Sequence, residues 1–160
     1  MDNNKNLWAP WRLGYVLSEK PKECVLCSMP GDNDDEKHHI IHRGVTCYLL
    51  LNLYPYTNGH MLVAPYRHTS EYDDLTTEEL AEMAQITKRA VQAVKKSMRP
   101  GGFNIGLNQG QVAGAGIHEH LHFHIVPRWN GDINFMPAVA GVKVMPQSLD
   151  EAYETIRSVF

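Results

Sequence analysis

Three apolar stretches, each broken by turn residues, occupy the first half of the chain. Their pattern predicts strands at about 38–42, 45–52 and 60–65, the second rich in Val, Tyr and Leu. Asn58-Gly59 supplies a turn signal between the second and third. A different period follows. Leu80, Met83, Ala84, Thr87, Val91, Val94 and Met98 recur at helical spacing. Thr76 and Glu79 form a capping-box pattern ahead of them, and Pro100-Gly101-Gly102 stops the run. Glutamates 78, 79 and 82 sit near the start of this helix and Lys95, Lys96 and Arg99 near its end, as the helix dipole prefers. Further strands are expected at about 103–108 and 119–126, and a short final helix within Ser148 to Val159. Several strands around one long helix make an α+β domain with a mostly antiparallel sheet.

The expected strand at 119–126 has an unusual polar face. His118, His120, His122 and His124 alternate with Glu119, Leu121 and Phe123. A strand sends every second side chain to one face, so all four imidazoles would share a face. Imidazoles are poor core filling because each ring nitrogen needs a partner. The row therefore points to metal ligation, phosphate binding, or histidine as acid, base or nucleophile.

Composition narrows the setting. A chain of 160 residues, 43% hydrophobic and 21% charged, suits one globular domain with a real core. A net charge of −3 gives no sign of a nucleic-acid footprint. No apolar run is long enough to span a bilayer, and the polar start, Met1 to Asn6, lacks a signal-peptide core. Three cysteines argue against a disulfide framework, so a cytoplasmic protein is expected. Leu7-Trp8-Ala9-Pro10-Trp11-Arg12 would have to dock on its own domain or on a partner. Gly31 to Lys37 is acidic and turn-rich, and is expected to be an exposed loop.

Two further motifs carry chemistry. Cys24-Val25-Leu26-Cys27 suits zinc or redox work, or is simply two ordinary cysteines. Zinc would need two more ligands, for which His60, His68 and the histidine row are candidates. Cys47, in an apolar stretch, is expected to be a small core residue. The loop Asn108 to Gly116 carries glycines at 110, 114 and 116, which would let backbone N–H groups approach an anion.

His120-Leu121-His122-Phe123-His124-Ile125-Val126 resembles the signature of the histidine triad (HIT) superfamily, in which three histidines alternate with apolar residues. Leu51 to Pro55 with Asn58 to Pro65 resembles that family's ribose-contacting strand and turn, and Asn108-Gln109-Gly110 its phosphate-side loop. Pro127-Arg128 follows the triad as it often does there. These segments span about residues 24–130. The opening Leu7 to Arg12, Ala113-Gly114-Ala115-Gly116 and Pro127 to Pro137 are similar to a bacterial group of diadenosine tetraphosphate phosphorylases (ATP adenylyltransferases) and related hydrolases.

The resemblance implies one HIT domain over 1–160, with a five-stranded antiparallel sheet, a long helix and a short C-terminal helix, usually as a homodimer. It implies cleavage at the α-phosphorus of a dinucleoside polyphosphate or other adenylylated nucleotide. His122 would be the nucleophile, forming an adenylyl-histidine, with His124 and His60 lining the site and His120 completing the triad. Asn52 would hold the ribose; Asn108, Gly110 and Gly116 would lie on the phosphate side. In the zinc-bearing branch the corresponding ligands are Cys24, Cys27, His68 and His120, a closed structural site.

Two departures stand out. Gly116 occupies a position where many family members carry Gln, Ser or Thr, and the loop is one residue longer than in the simpler hydrolases. His118 is extra: a spare zinc ligand, a leaving-phosphate contact or an exposed bystander. Phosphorolysis and hydrolysis both stay open. So do two other functional classes, a non-catalytic adenine-nucleotide-binding protein stabilised by zinc, and a catalytic metal site built from the histidines.

Overall fold

A computed structural model of the chain describes residues 23–132 and 144–160. The Trp8–Trp11 segment and the residues after Asp132 in the Pro127 to Pro137 motif lie outside the described residues. The elements run α1 (Val25–Gly31), β1 (Ile40–Arg43), β2 (Cys47–Leu51), β3 (Met61–Pro65), α2 (Thr77–Met98), β4 (Gly102–Leu107), β5 (Phe123–Arg128) and α3 (Leu149–Arg157). A short 3-10 turn, Gln111–Ala113, lies between β4 and β5. The strands form one five-stranded sheet in the order β1-β2-β3-β5-β4, antiparallel throughout. The α+β expectation holds.

Every residue of β2 and β3 is buried, because both faces of the sheet are covered. The strand period divides them. Cys47, Leu49, Leu51, Met61 and Val63 pack with α2 and α3, where Met83, Ile86, Ala90, Tyr153 and Ile156 meet them. Tyr48, Leu50, Leu62 and Ala64 face the other way and pack with Leu26 of α1 and Ile40.

Helix α2 starts as expected, with both halves of the Thr76–Glu79 capping box formed. It stops at Arg99, which takes the left-handed conformation with φ 49°. The buried face differs in detail. Ala84 is exposed, while Ile86, Ala90 and Ala93 turn inward with Met83 and Val94. The two inward alanines let the helix axis approach the sheet closely. The final helix is as expected and carries its own capping box, Ser148 with Glu151. Gly59 uses a φ of +68° in the β2–β3 turn, where an added Cβ would lie 2.9 Å from Met98 Sδ.

Two expectations need correction. Helix α1 has no counterpart in the sequence reading. The histidine strand also begins later than expected: β5 starts at Phe123, so His124 alone of the four histidines lies on it. The ladder from β3 reaches only Val63↔Phe123. Continuing the register would set Ala64 opposite His122 and then Pro65, which has no N–H to give, opposite Leu121. The backbone of the preceding residues is engaged elsewhere: Leu121 N–H donates to Thr69 O at 2.7 Å, and His120 O accepts from a side chain. Leu121 and Phe123 still pack with the α2 side.

Candidate active site

His122 is 5% exposed, and its Nδ1 donates to the backbone carbonyl of His120 at 2.8 Å. That bond makes Nδ1 the protonated nitrogen and leaves the lone pair on Nε2. Burial depresses the imidazole's pKa, with the His120 carbonyl acting weakly the other way. The ring is therefore neutral at ordinary pH, the state a histidine nucleophile requires.

A second set of bonds fixes His124. The backbone N–H of Tyr56 donates to His60 Nδ1 at 3.0 Å, and Asn52 Nδ2 lies 3.3 Å from the same nitrogen. His60 Nδ1 is thus an acceptor, which puts the proton on Nε2. That Nε2 donates to His124 Nδ1 at 3.0 Å. His124 in turn must carry its proton on Nε2. Burial, and then the neighbouring His122, lowers the His124 pKa to about 4. The His122 and His124 rings meet edge to face, centroids 4.8 Å apart. One ring therefore offers a lone pair and its neighbour an N–H.

Both rings line a pocket of about 240 Å³. Its apolar wall comes from Val25, Leu26 and Met29 of α1, Leu50 and Leu62 of the sheet, and Ile117. Asn52, Tyr54, Tyr56 and Gly116 also line it. The pocket thus joins an apolar wall to a polar end where the histidines sit. Such a shape takes an aromatic ring at one end and an electrophile at the other.

His120 points elsewhere. Its Nε2 donates to Pro65 O at 2.9 Å, so Nδ1 carries the lone pair. Nδ1 lies 3.4 Å from both Cys24 Sγ and Cys27 Sγ, and His68 Nδ1 lies 3.3 Å from Cys27 Sγ. All four donor atoms fall within 4.8 Å of one another. Tetrahedral zinc with Zn–S of about 2.3 Å and Zn–N of about 2.05 Å would set N···S at about 3.6 Å. The donor set and its spacing therefore fit zinc. Burial drives the His120 pKa down to about 4, which keeps the ring neutral and able to ligate. Burial, with Cys24 alongside, pushes the Cys27 thiol up to about 11, an effect that a bound dication would offset.

The remaining sequence candidates divide. His60 is fully buried behind His124 rather than in the pocket wall. Asn108 and Gly110 are not among the residues lining this pocket, and Gly110 has a φ of +80° at the head of the 3-10 turn. His118 belongs neither to the pocket lining nor to the donor cluster; its side chain is 42% exposed, with Nε2 3.8 Å from the Glu119 carboxylate. The exposed-bystander reading fits that position. Sequence reasoning missed the Tyr56 amide and the Pro65 and His120 carbonyls. All three act through the backbone, where residue identity carries little signal.

A family model described as the HIT domain matches residues 33–131. The chain is 42% identical over 156 residues to the AP-4-A phosphorylase of Mycobacterium tuberculosis (strain CDC 1551), covering 92% of this chain and 80% of that protein. Among solved structures it resembles a Zn-bound histidine triad family protein from Mycobacterium smegmatis, with a TM-score of 0.69, 28% identity, and coverage of 86% of this chain and 92% of that one. A hypothetical histidine triad nucleotide-binding protein from Sulfolobus tokodaii gives the same TM-score at 26% identity, with 85% and 91% covered. With the family model matching more than half of the chain, and the three alternating histidines placed as they are, this protein belongs to the HIT domain family.

Proposed function

We propose that the protein cleaves an adenylylated nucleotide of the diadenosine tetraphosphate type at its α-phosphorus, through an adenylyl-His122 intermediate. The observation that carries this reading is the fixed tautomer of His122, which holds a lone pair on Nε2 at the wall of a nucleoside-sized pocket. The M. tuberculosis relative named AP-4-A phosphorylase supports the choice of substrate class.

The base and ribose would lie in the slot between α1 and β2, with Asn52 beside the ribose hydroxyls. His122 Nε2 attacks the α-phosphorus; a P–N bond forms as the P–O bond to the leaving polyphosphate breaks. The leaving oxygen keeps the electron pair, and His124 Nε2–H would stabilise it. In the second step phosphate or water attacks the same phosphorus, the P–N bond breaks, and ADP or AMP departs. Gly116 and the loop before β5 would contribute backbone N–H groups on the phosphate side.

Zinc, when bound by Cys24, Cys27, His68 and His120, would be a closed four-ligand centre that cross-links the chain. The chemistry above needs only the histidines. Among the described residues no helix is long and apolar enough to cross a membrane. A cytoplasmic site of action suits a thiol pair that must stay reduced to hold metal. A homodimer goes with the same reading: β4 is an edge strand, and its Ile105 is 50% exposed.

Product analysis from diadenosine tetraphosphate, with and without phosphate, is the test. ADP plus ATP identifies phosphorolysis, and AMP plus ATP hydrolysis. No turnover of this or of related adenylylated nucleotides, alongside measurable AMP binding, would replace the enzyme with a nucleotide-binding protein.

A further inference from the structure

Helix α1 joins two sites. Cys24 caps it and Cys27 lies within it, and both belong to the Cys/His cluster. The three residues Val25, Leu26 and Met29, from the same seven-residue helix, wall the pocket. Such a helix is too short to be stable alone. Its N-cap makes no side-chain capping bond, and Pro30 lies inside it. Apart from the cluster, few contacts hold it to the fold: Leu26 buries its side chain and accepts the Tyr48 hydroxyl at its carbonyl, 2.6 Å away, the Pro30 carbonyl accepts from Arg43 Nη1 at 2.8 Å, and Val25 and Met29 are only partly buried.

His120 makes the second connection. Its imidazole belongs to the cluster, and its carbonyl fixes the tautomer of His122. The Pro65 carbonyl on the other ring nitrogen holds the imidazole in a single orientation. A change in the cluster therefore reaches the pocket by two short routes, one through the α1 backbone and one through a single residue.

We propose that the cluster is a coupling device: metal held by Cys24, Cys27, His68 and His120 sets both the nucleotide-binding wall and the aim of His122, with His120 as a positioning residue. This rests on the nucleotide reading above and goes beyond it. Coupling of binding free energies is reciprocal, so nucleotide must also tighten the hold on metal. Typical couplings correspond to a change in affinity of about 5- to 150-fold.

The test uses the zinc-loaded protein as it stands. Zinc release to a chromogenic chelator is followed with increasing AMP, and AMP binding is measured by calorimetry on the same preparation. The expected result is a zinc dissociation constant, read from competition with the chelator at equilibrium, lowered by about 5-fold or more at saturating AMP. The global unfolding rate, measured in parallel, must be slower than release, so that the effect is local to the cluster. Unchanged zinc affinity with AMP bound overturns the coupling and leaves the nucleotide reading intact, as does release no faster than unfolding. Failure of the loaded protein to bind AMP sinks both. A second measurement reads the other route. In 15N-histidine NMR the loaded protein should show His122 as a single Nδ1–H tautomer, and Cys27→Ser a mixture. One unchanged tautomer in a folded Cys27→Ser overturns the role given to His120. If that variant does not fold, the release assay decides.

Discussion

His60 Nε2 donates to His124 Nδ1 across 3.0 Å, and this bond decides which nitrogen of His124 can give a proton toward the pocket. The Tyr56 amide sets the direction by donating to the far nitrogen of His60. Of the two rings, His124 lines the pocket and His60 lies behind it. His60→Ala should therefore lower kcat by about 10- to 100-fold and His124→Ala by about 10²- to 10⁴-fold, with smaller changes in KM. Steady-state kinetics on the leaving-group step would check this. A His60→Ala enzyme with unaltered kcat would mean that the relay has no part in turnover.

His122→Ala removes the only group assigned to form a covalent bond. Turnover should fall by a factor on the order of 10⁴ or more, because a nucleophile's loss is not made up by its neighbours. AMP affinity should change by only a few-fold, since the apolar wall is untouched. Acid-quench trapping of radiolabelled adenylyl-protein should succeed with the parent chain and fail with the variant. Full activity in His122→Ala would remove the covalent mechanism.

Acid pH should act on this protein in a defined window. His120 and His124 have folded pKa values near 4, against 6.5 for an ordinary histidine, both through burial. Between those values the unfolded chain binds more protons than the folded one, so stability falls as pH drops from 6.5 to 4 and the contribution levels off below. Denaturant melts of metal-free protein across that range would register it. For catalysis, burial lowers the pKa of both His122 and His124, so their neutral states should persist below pH 6.5 and the acid limb of kcat/KM should lie there. An acid limb at or above 6.5 would contradict the buried-neutral assignment.

Glu82 clamps the turn between β1 and β2. Its carboxylate accepts from the backbone N–H groups of Val45, Thr46 and Cys47 and from the Thr46 hydroxyl. Burial raises its pKa, but these donors outweigh burial and carry it below the ordinary value. Glu82→Ala leaves several turn donors without this acceptor and should cost about 2–3 kcal/mol of stability. Thermal and chemical melts would measure the loss, while zinc content should not change.

Metal analysis of tag-free protein should find about one zinc per chain. Chelation should lower the melting temperature as well as activity, as expected of a closed centre. Activity lost at an unchanged melting temperature would instead favour a catalytic metal.

What the sequence made legible was local or periodic. The Thr76–Glu79 box is three residues apart and needs no tertiary partner to be recognised. The alternation from His120 to His124 survives in the folded chain as a division of faces, although the ladder covers only its end. Cys24 and Cys27 suggested a metal without naming their partners; the likeness to the zinc-bearing branch did that. Helix α1 left no periodic trace because only Leu26 is fully buried in it. The inward turn of Ile86, Ala90 and Ala93 followed from how α2 sits on the sheet, not from hydrophobicity, which ranks Ala84 equal to Ala90. The tautomers of His60, His120 and His122 are fixed by backbone groups of Tyr56, Pro65 and His120, which carry almost no side-chain signal.

The Cys/His cluster closes long loops, since its contacts join residues 41, 93 and 96 positions apart. Closing such loops removes entropy from the unfolded chain, much as a disulfide would. Synthesis runs from Cys24 toward His120, so the first two donors leave the ribosome long before the last. The clasp can close only after the sheet's third strand and the long helix have been made. An ion taken up earlier would be held by the thiol pair, then joined by His68, and the arrival of His120 would convert loose capture into a locked fold.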